Sequence, residues 1–225
     1  MSSATATVAR GRARNPRGEG ARLRDELVAA ASEMVAETGD ASQLSLRGVA
    51  RAVGIAAPSI YRHFPDLDHL KLAVVLRAFQ GFADARDLAG TEAGDPAQAL
   101  LARCRAYCRF AVANPGPYRF MFSHQAPKGS PVAMAAFHAL ADSIAKCQED
   151  GVSLTPHGPE RLAAQVWAAL HGLVILRLNS PDFPWPAPLE QMADDAVTRL
   201  VGLTGPPRAD QAQTKNNPNP DRGKP

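Results

Sequence analysis

Between Leu44 and Phe64 the chain gathers side chains suited to a phosphodiester backbone and the edges of bases. Tyr61, Arg62 and His63 carry hydrogen-bonding groups that reach phosphate oxygens. Just ahead of them stand Ala57, Pro58 and Ser59. Small residues let the backbone approach base edges, and Ala or Pro can touch a thymine methyl. Ser45 and Arg47 lie one short segment upstream. This residue set implies contact with duplex DNA.

Other chemistry is poorly supplied. Cys104 and Cys108, at i, i+4, could bind a soft metal or report oxidation. No third ligand stands near them in sequence, and an unpaired cysteine is usually a small core residue. His124, His138, His157 and His171 lack carboxylate partners at metal-ligand spacing. The chain has no His-Glu-x-x-His, paired Glu-x-x-His, phosphate loop or nucleophile elbow. No catalytic residue, metal or cofactor is therefore expected. The alternative to a regulator is an all-helical enzyme, or a small-molecule binding module without operator binding; it lacks residues in named roles.

Periodicity supplies the elements that must hold the DNA-facing set. Leu46, Val49, Ala50 and Val53 fall at i, i+3, i+4, i+7, one face of a short helix. Ser45 can cap that helix, and Gly54 can take the left-handed conformation that ends it. A second short helix follows, with Ala56, Ile60 and Phe64 as its buried face. Pro58 is tolerated in its first turn. Two short helices joined by a tight turn form a helix-turn-helix, whose second helix enters the major groove. Charge agrees with this. Residues 1–65 hold nine of the 25 Lys/Arg and six of the 22 Asp/Glu, so the whole excess of +3 sits with this motif.

The parts LRGVARAVGI, APSIYRHF and PDLDHL resemble the DNA-binding domain of the TetR family of bacterial transcriptional regulators. The resemblance is close over residues 21–75 and loose beyond. It implies an all-helical homodimer that binds operator DNA, most often as a repressor, and responds to a small ligand. Carried over, Ser45 and Arg47 would meet phosphate or a base. Ala57, Pro58 and Ser59 would face bases, and Tyr61 and His63 would hold the backbone. Three positions depart from the pattern. Ala56 stands where a capping Ser is common, Gly48 where a polar helix former is usual, and Leu67 where a phosphate-binding Lys is usual.

The rest of the chain reads as helices around this head. Residues 1–20 form a disordered basic arm with Arg10, Arg12, Arg14 and Arg17, able to lie along DNA. Residues 21–38 form a bracing helix with the stripe Leu23, Leu27, Ala30, Ala31 and Met34. Residues 21–66 make the DNA-binding domain and 67–204 a ligand-binding and dimerisation domain. Residues 205–225 make a disordered tail. A long helix from Asp66 to about Leu88 links the two domains, with Leu67, Leu70 and Val74 on the head and Leu76, Phe79 and Phe82 beyond it. Another helix runs from Pro96 to Asn114. The prolines of NPGPYRFMF then stop it and leave a short apolar turn. A helix from Pro131 to Gly151 carries the inner stripe Met134, Phe137, His138, Ala141 and Ile144. The architecture is thus all-α with about nine helices.

NPGPYRFMF with WAALHG resembles a C-terminal domain of one TetR subgroup, named for its Trp-His-Gly motif. Phe79, Phe82, Tyr107, Phe110, Met121, Phe122, Met134, Phe137, Trp167 and His171 could line a pocket for a small lipophilic effector, or could be plain core. The helix from Pro159 to Leu178 is apolar nearly all round but interrupted by Gln165, His171 and Arg177. It reads as a buried helix rather than a membrane span. Together with the helix from Leu189 to Leu203 it would form a four-helix dimer interface. The odd cysteine count and the lack of an apolar N-terminal stretch lead to an expected cytoplasmic location with no membrane contact.

Overall fold

The computed structural model describes residues 19–38, 41–91, 93–123 and 131–204. The arm before Glu19 and the tail after Thr204 lie outside the described residues. Among those described, nine α-helices follow in order: α1 Glu19–Thr38, α2 Leu46–Val53, α3 Ala57–Ile60, α4 Leu67–Thr91, α5 Pro96–Ala113, α6 Pro115–Met121, α7 Pro131–Glu149, α8 Pro159–Asn179 and α9 Leu189–Val201. A 3-10 turn at Ala41–Gln43 precedes α2.

The head is α1, α2 and α3 packed on the first half of α4. Ser45 is the N-cap of α2, and its Oγ accepts the Gly48 N–H at 3.1 Å. Gly54 ends α2 at φ 76°, in the left-handed region that glycine enters at low cost. Burial centres on Leu27, Val28, Ala31, Val35, Val49, Ile60 and Phe64. Leu23, Ala30 and Met34, expected on the inner stripe of α1, sit at its margin, while Val28 and Val35 are inside. Ala56 is also not buried: it is an exposed N-cap with ψ 135°, so it lies off the helical line joining Ile60 to Phe64.

Asp66 caps the linking helix, accepting from the His69 N–H at 2.9 Å. Its carboxyl is held below the usual range by hydrogen bonds from the His69 side chain and backbone. α4 then runs through both halves of the molecule, with Leu70 and Val74 inside the head and Phe79 and Phe82 inside the second half. Leu76, expected inside, is on the outer side, and Val75 takes the inner place.

The stretch expected to be a short apolar turn is the helix α6. Pro115 occupies its first turn, where no helical N–H partner is lost. On α7 the inner positions are Ala141, Ser143, Ile144 and Cys147, with Phe137 and Leu140 beside them. Met134 and His138, expected on that stripe, are exposed. α8 is long and apolar enough to cross a membrane by length and composition. It is not buried throughout: Leu162, Ala163, Val166, Leu170 and Val174 face the core, and the opposite side is open. Arg105 on α5 and Asp194 on α9 form a two-pronged ion pair, with Nε and Nη2 each 2.8 Å from a carboxylate oxygen. Ser153 Oγ donates to Val201 O at 2.7 Å and fastens the chain before α8 to the end of α9.

Candidate nucleic-acid interface and apolar cavity

α2 and α3 present one outward edge. Ser45, Arg47, Pro58, Tyr61 and Arg62 are exposed, and Ala57, Ser59 and His63 are half-buried. Tyr61 is 50% exposed although Ile60 beside it is wholly buried. α3 is a single turn. Its line is extended by Arg62 N to Ser59 O at 3.3 Å and by His63 N and Phe64 N to Ile60 O, each at 2.9 Å. The Phe64 anchor is covered by the Arg24 guanidinium of α1, 4.9 Å above its ring. Gly48 has a local reason: a Cβ there would stand 2.9 Å from Ser45 Oγ and crowd the cap. With its oxygen accepting from Gly48, the Ser45 hydroxyl keeps its proton free to donate outward.

A second site lies among α4, α5, α7 and α8. It is a cavity of about 70 Å³. Phe79, Phe82, Tyr107, Phe122, Phe137 and Trp167, all expected around a pocket, do line it. Four expected residues do not. Met134 points outward, 53% exposed; Met121 is buried outside the lining, and Phe110 is partly buried against the core beside it. His171 stands behind the wall. Its Nδ1 is 2.7 Å from Tyr118 Oη, which is 2.7 Å from Tyr107 Oη. Arg86, Arg103 and Ser143 also line the cavity and are not among the residues expected from sequence. Helical period could have found both arginines: Arg86 follows Phe82 by four, and Arg103 precedes Tyr107 by four.

Burial raises the hydroxyl pKa values of Tyr107 and Tyr118 and lowers that of His171. The sign for stability follows. As pH falls through the ordinary histidine value of 6.5, the unfolded chain takes up this proton before the folded one does. Stability due to His171 is complete above that value and lost below it. Thermal unfolding from about pH 8 to about pH 5 should therefore show a decline that His171→Asn makes shallower. Identical slopes in the two proteins would count against a neutral, half-buried His171.

The cysteines offer no reactive thiolate. Burial raises Cys104, lifts Cys108 to about 12 and lifts Cys147 to about 11. A protonated thiol is a weak nucleophile and metal ligand. Among the described residues no group of three His, Cys, Asp or Glu is placed to hold a metal.

Comparison with known proteins agrees with this geometry. The model for bacterial regulatory proteins of the tetR family matches residues 27–74. The model described as tetracyclin repressor-like, C-terminal domain matches residues 100–200. An HTH-type transcriptional regulator of Mycobacterium tuberculosis is 32% identical over 107 residues, 47% of this chain and 42% of that protein. The chain thus matches less than half the length of that relative. A protein of unknown function from Rhodococcus sp. RHA1 superposes with a TM-score of 0.70 at 25% identity, over 80% of this chain and 95% of that one. RolR, solved with resorcinol, superposes with a TM-score of 0.63 at 21% identity, over 82% and 90%. The head, the cavity-bearing domain and the two family matches coincide: the chain belongs to the TetR family of bacterial transcriptional regulators.

Proposed function

We propose that the chain is a homodimeric, effector-responsive repressor that binds a palindromic operator. The observation carrying this reading is the outward edge of α3, where Ala57, Pro58, Ser59 and Tyr61 face away from a head anchored by Ile60 and Phe64. Ala57, Pro58 and Ser59 meet base edges. Tyr61, Arg62 and His63 hold phosphates, joined by Ser45 and Arg47 from α2.

Dimerisation through α8 and α9 is supported by the open side of α8. Ala164, Ala168, Gly172 and Leu176 recur every four residues along it. Among the described residues, its own helical turn aside, nothing approaches within 4 Å of where a Gly172 Cβ would stand. Small residues at Ala164, Ala168 and Gly172 let a second copy's helices pack closely, and the exposed Leu176 gives them an apolar contact. Two heads on a twofold axis then sit one DNA turn apart, about 34–36 Å.

The cavity serves as the effector site. A solved structural neighbour with resorcinol bound supports that role. α4 carries the message, since Phe79 and Phe82 line the cavity while Leu70 and Val74 belong to the head. Operator binding places the protein with DNA in the cytoplasm. Selection from random duplexes by the purified chain tests the reading. A twofold-symmetric sequence should emerge, its half-site centres about 10 base pairs apart. Recovery of unselected sequence at every round would favour a binding module without operator recognition.

A further inference from the structure

The cavity is chemically lopsided. Aromatic rings line most of it, Arg86, Arg103 and Ser143 are grouped together at one end with the Arg86 guanidinium 5.8 Å over the Phe82 ring, and among the described residues no carboxylate lines it. Arg86 spends two donors on Asp87: Nε at 2.9 Å and Nη2 at 2.8 Å both meet Oδ1. Its third nitrogen, Nη1, is buried and has no hydrogen-bond partner among the described residues. Asp87 is 62% exposed, so water screens its pull on the guanidinium. An unpaired buried donor costs free energy, more so when it belongs to a charged group.

Arg103 reaches the same end from α5. Its Nη1 donates to Ser143 Oγ at 2.9 Å, and Ser143 in turn donates to Ala139 O at 2.7 Å. The guanidinium lies against α4 at Gly90, where a Cβ would stand 2.2 Å from Arg103 Nε. Gly90 follows Arg86 by one turn. The glycine therefore lets the Arg103 guanidinium of α5 pack on the helix that carries Arg86, and both line the cavity.

We infer that this cavity is selective for an amphipathic carboxylic acid, its carboxylate held by Arg86 and Arg103 and its hydrocarbon body lying among Phe79, Phe122, Phe137 and Trp167. The inference rests on the effector-site reading and narrows it to one ligand class. A guanidinium's planar donor set matches a carboxylate in geometry as well as charge. A hydrocarbon would leave Arg86 Nη1 unsatisfied, and a neutral hydroxyl would accept its hydrogen bond without balancing its charge. Size restricts the body. At about 70 Å³ the cavity is smaller than the ~150 Å³ apolar cavity that holds benzene, so occupancy requires the aromatic wall to yield.

Matched probes test this on the full-length protein: octanoate against octanol, and hydrocinnamate against hydrocinnamyl alcohol. Calorimetry gives the affinities, and Trp167 fluorescence reports the wall. Each acid should bind about tenfold or more tightly than its alcohol. Arg86→Gln and Arg103→Gln should erase that preference and leave alcohol affinity within about twofold. Gly90→Ala, which displaces the Arg103 guanidinium, should weaken it. The wild-type acid-to-alcohol ratio decides even if a variant fails to fold. Equal affinities, or no acid bound up to its solubility limit, would overturn the inference. Operator binding separates it from the reading beneath. An acid held through the arginines without effect on DNA upholds the inference and counts against an effector site. Alcohols that release DNA as well as the acids do overturn the inference and keep the effector site.

Discussion

Pro58→Glu is expected to remove operator binding while leaving the fold intact. Pro58 is exposed in the first turn of α3, outside the Ile60–Phe64 anchor. A carboxylate at the start of a helix is electrostatically acceptable there. An exposed position without a structural partner changes stability by only about 0.5 kcal/mol. Against DNA the same carboxylate meets phosphates and base edges. A loss of about 2 kcal/mol per half-site is in the range of one spoiled base contact. A twofold dimer loses it twice, roughly a thousandfold in affinity. Fluorescence anisotropy on the selected duplex measures the loss, and thermal unfolding checks the fold. Undiminished binding by a folded Pro58→Glu would show that α3 does not face the groove.

Gly116→Ala is expected to give the largest effect on stability. Gly116 is buried at the start of α6, and a Cβ there would stand 2.5 Å from Val35 O and 3.0 Å from Ala36 Cα. Those atoms are backbone of α1 and cannot rotate aside. The two helices must separate by several tenths of an ångström, and overpacking of this kind costs about 1–3 kcal/mol. For a chain of this size each kcal/mol lowers the melting temperature by roughly 2–4 °C. Functionally, α6 also bears Tyr118, bonded to Tyr107 of the cavity wall and to His171. Loosening α6 from α1 should therefore blunt the effect of a bound effector on operator affinity. An unchanged melting temperature would mean that α1 and α6 do not approach this closely.

The head was legible in sequence because its determinants are local. A capping hydroxyl at Ser45, a left-handed Gly54 and a four-residue apolar stripe all lie within a dozen positions of one another. The long helices were legible for the same reason, from caps such as Asp95, which accepts the Gln98 N–H at 2.9 Å. α6 is hidden in the sequence because Pro115 and Pro117 read as breakers, although both fall where a helix has unpaired N–H groups. On α7 the expected stripe holds at Phe137, Ala141 and Ile144 but not at Met134 and His138, because its many alanines give little contrast between its faces. Arg86 and Arg103 do not stand out as cavity residues because charged side chains usually mark a solvated face. The Arg105–Asp194 pair joins residues 89 positions apart, beyond the reach of any periodicity.

The most direct measurement combines sedimentation of the purified chain with its titration against the selected duplex at rising salt. Two copies should travel together and bind one duplex. The logarithm of affinity should fall with the logarithm of salt by about 0.9 per phosphate contacted. A monomer that ignores every duplex offered, even at low ionic strength, would contradict the assignment of α3 to the major groove.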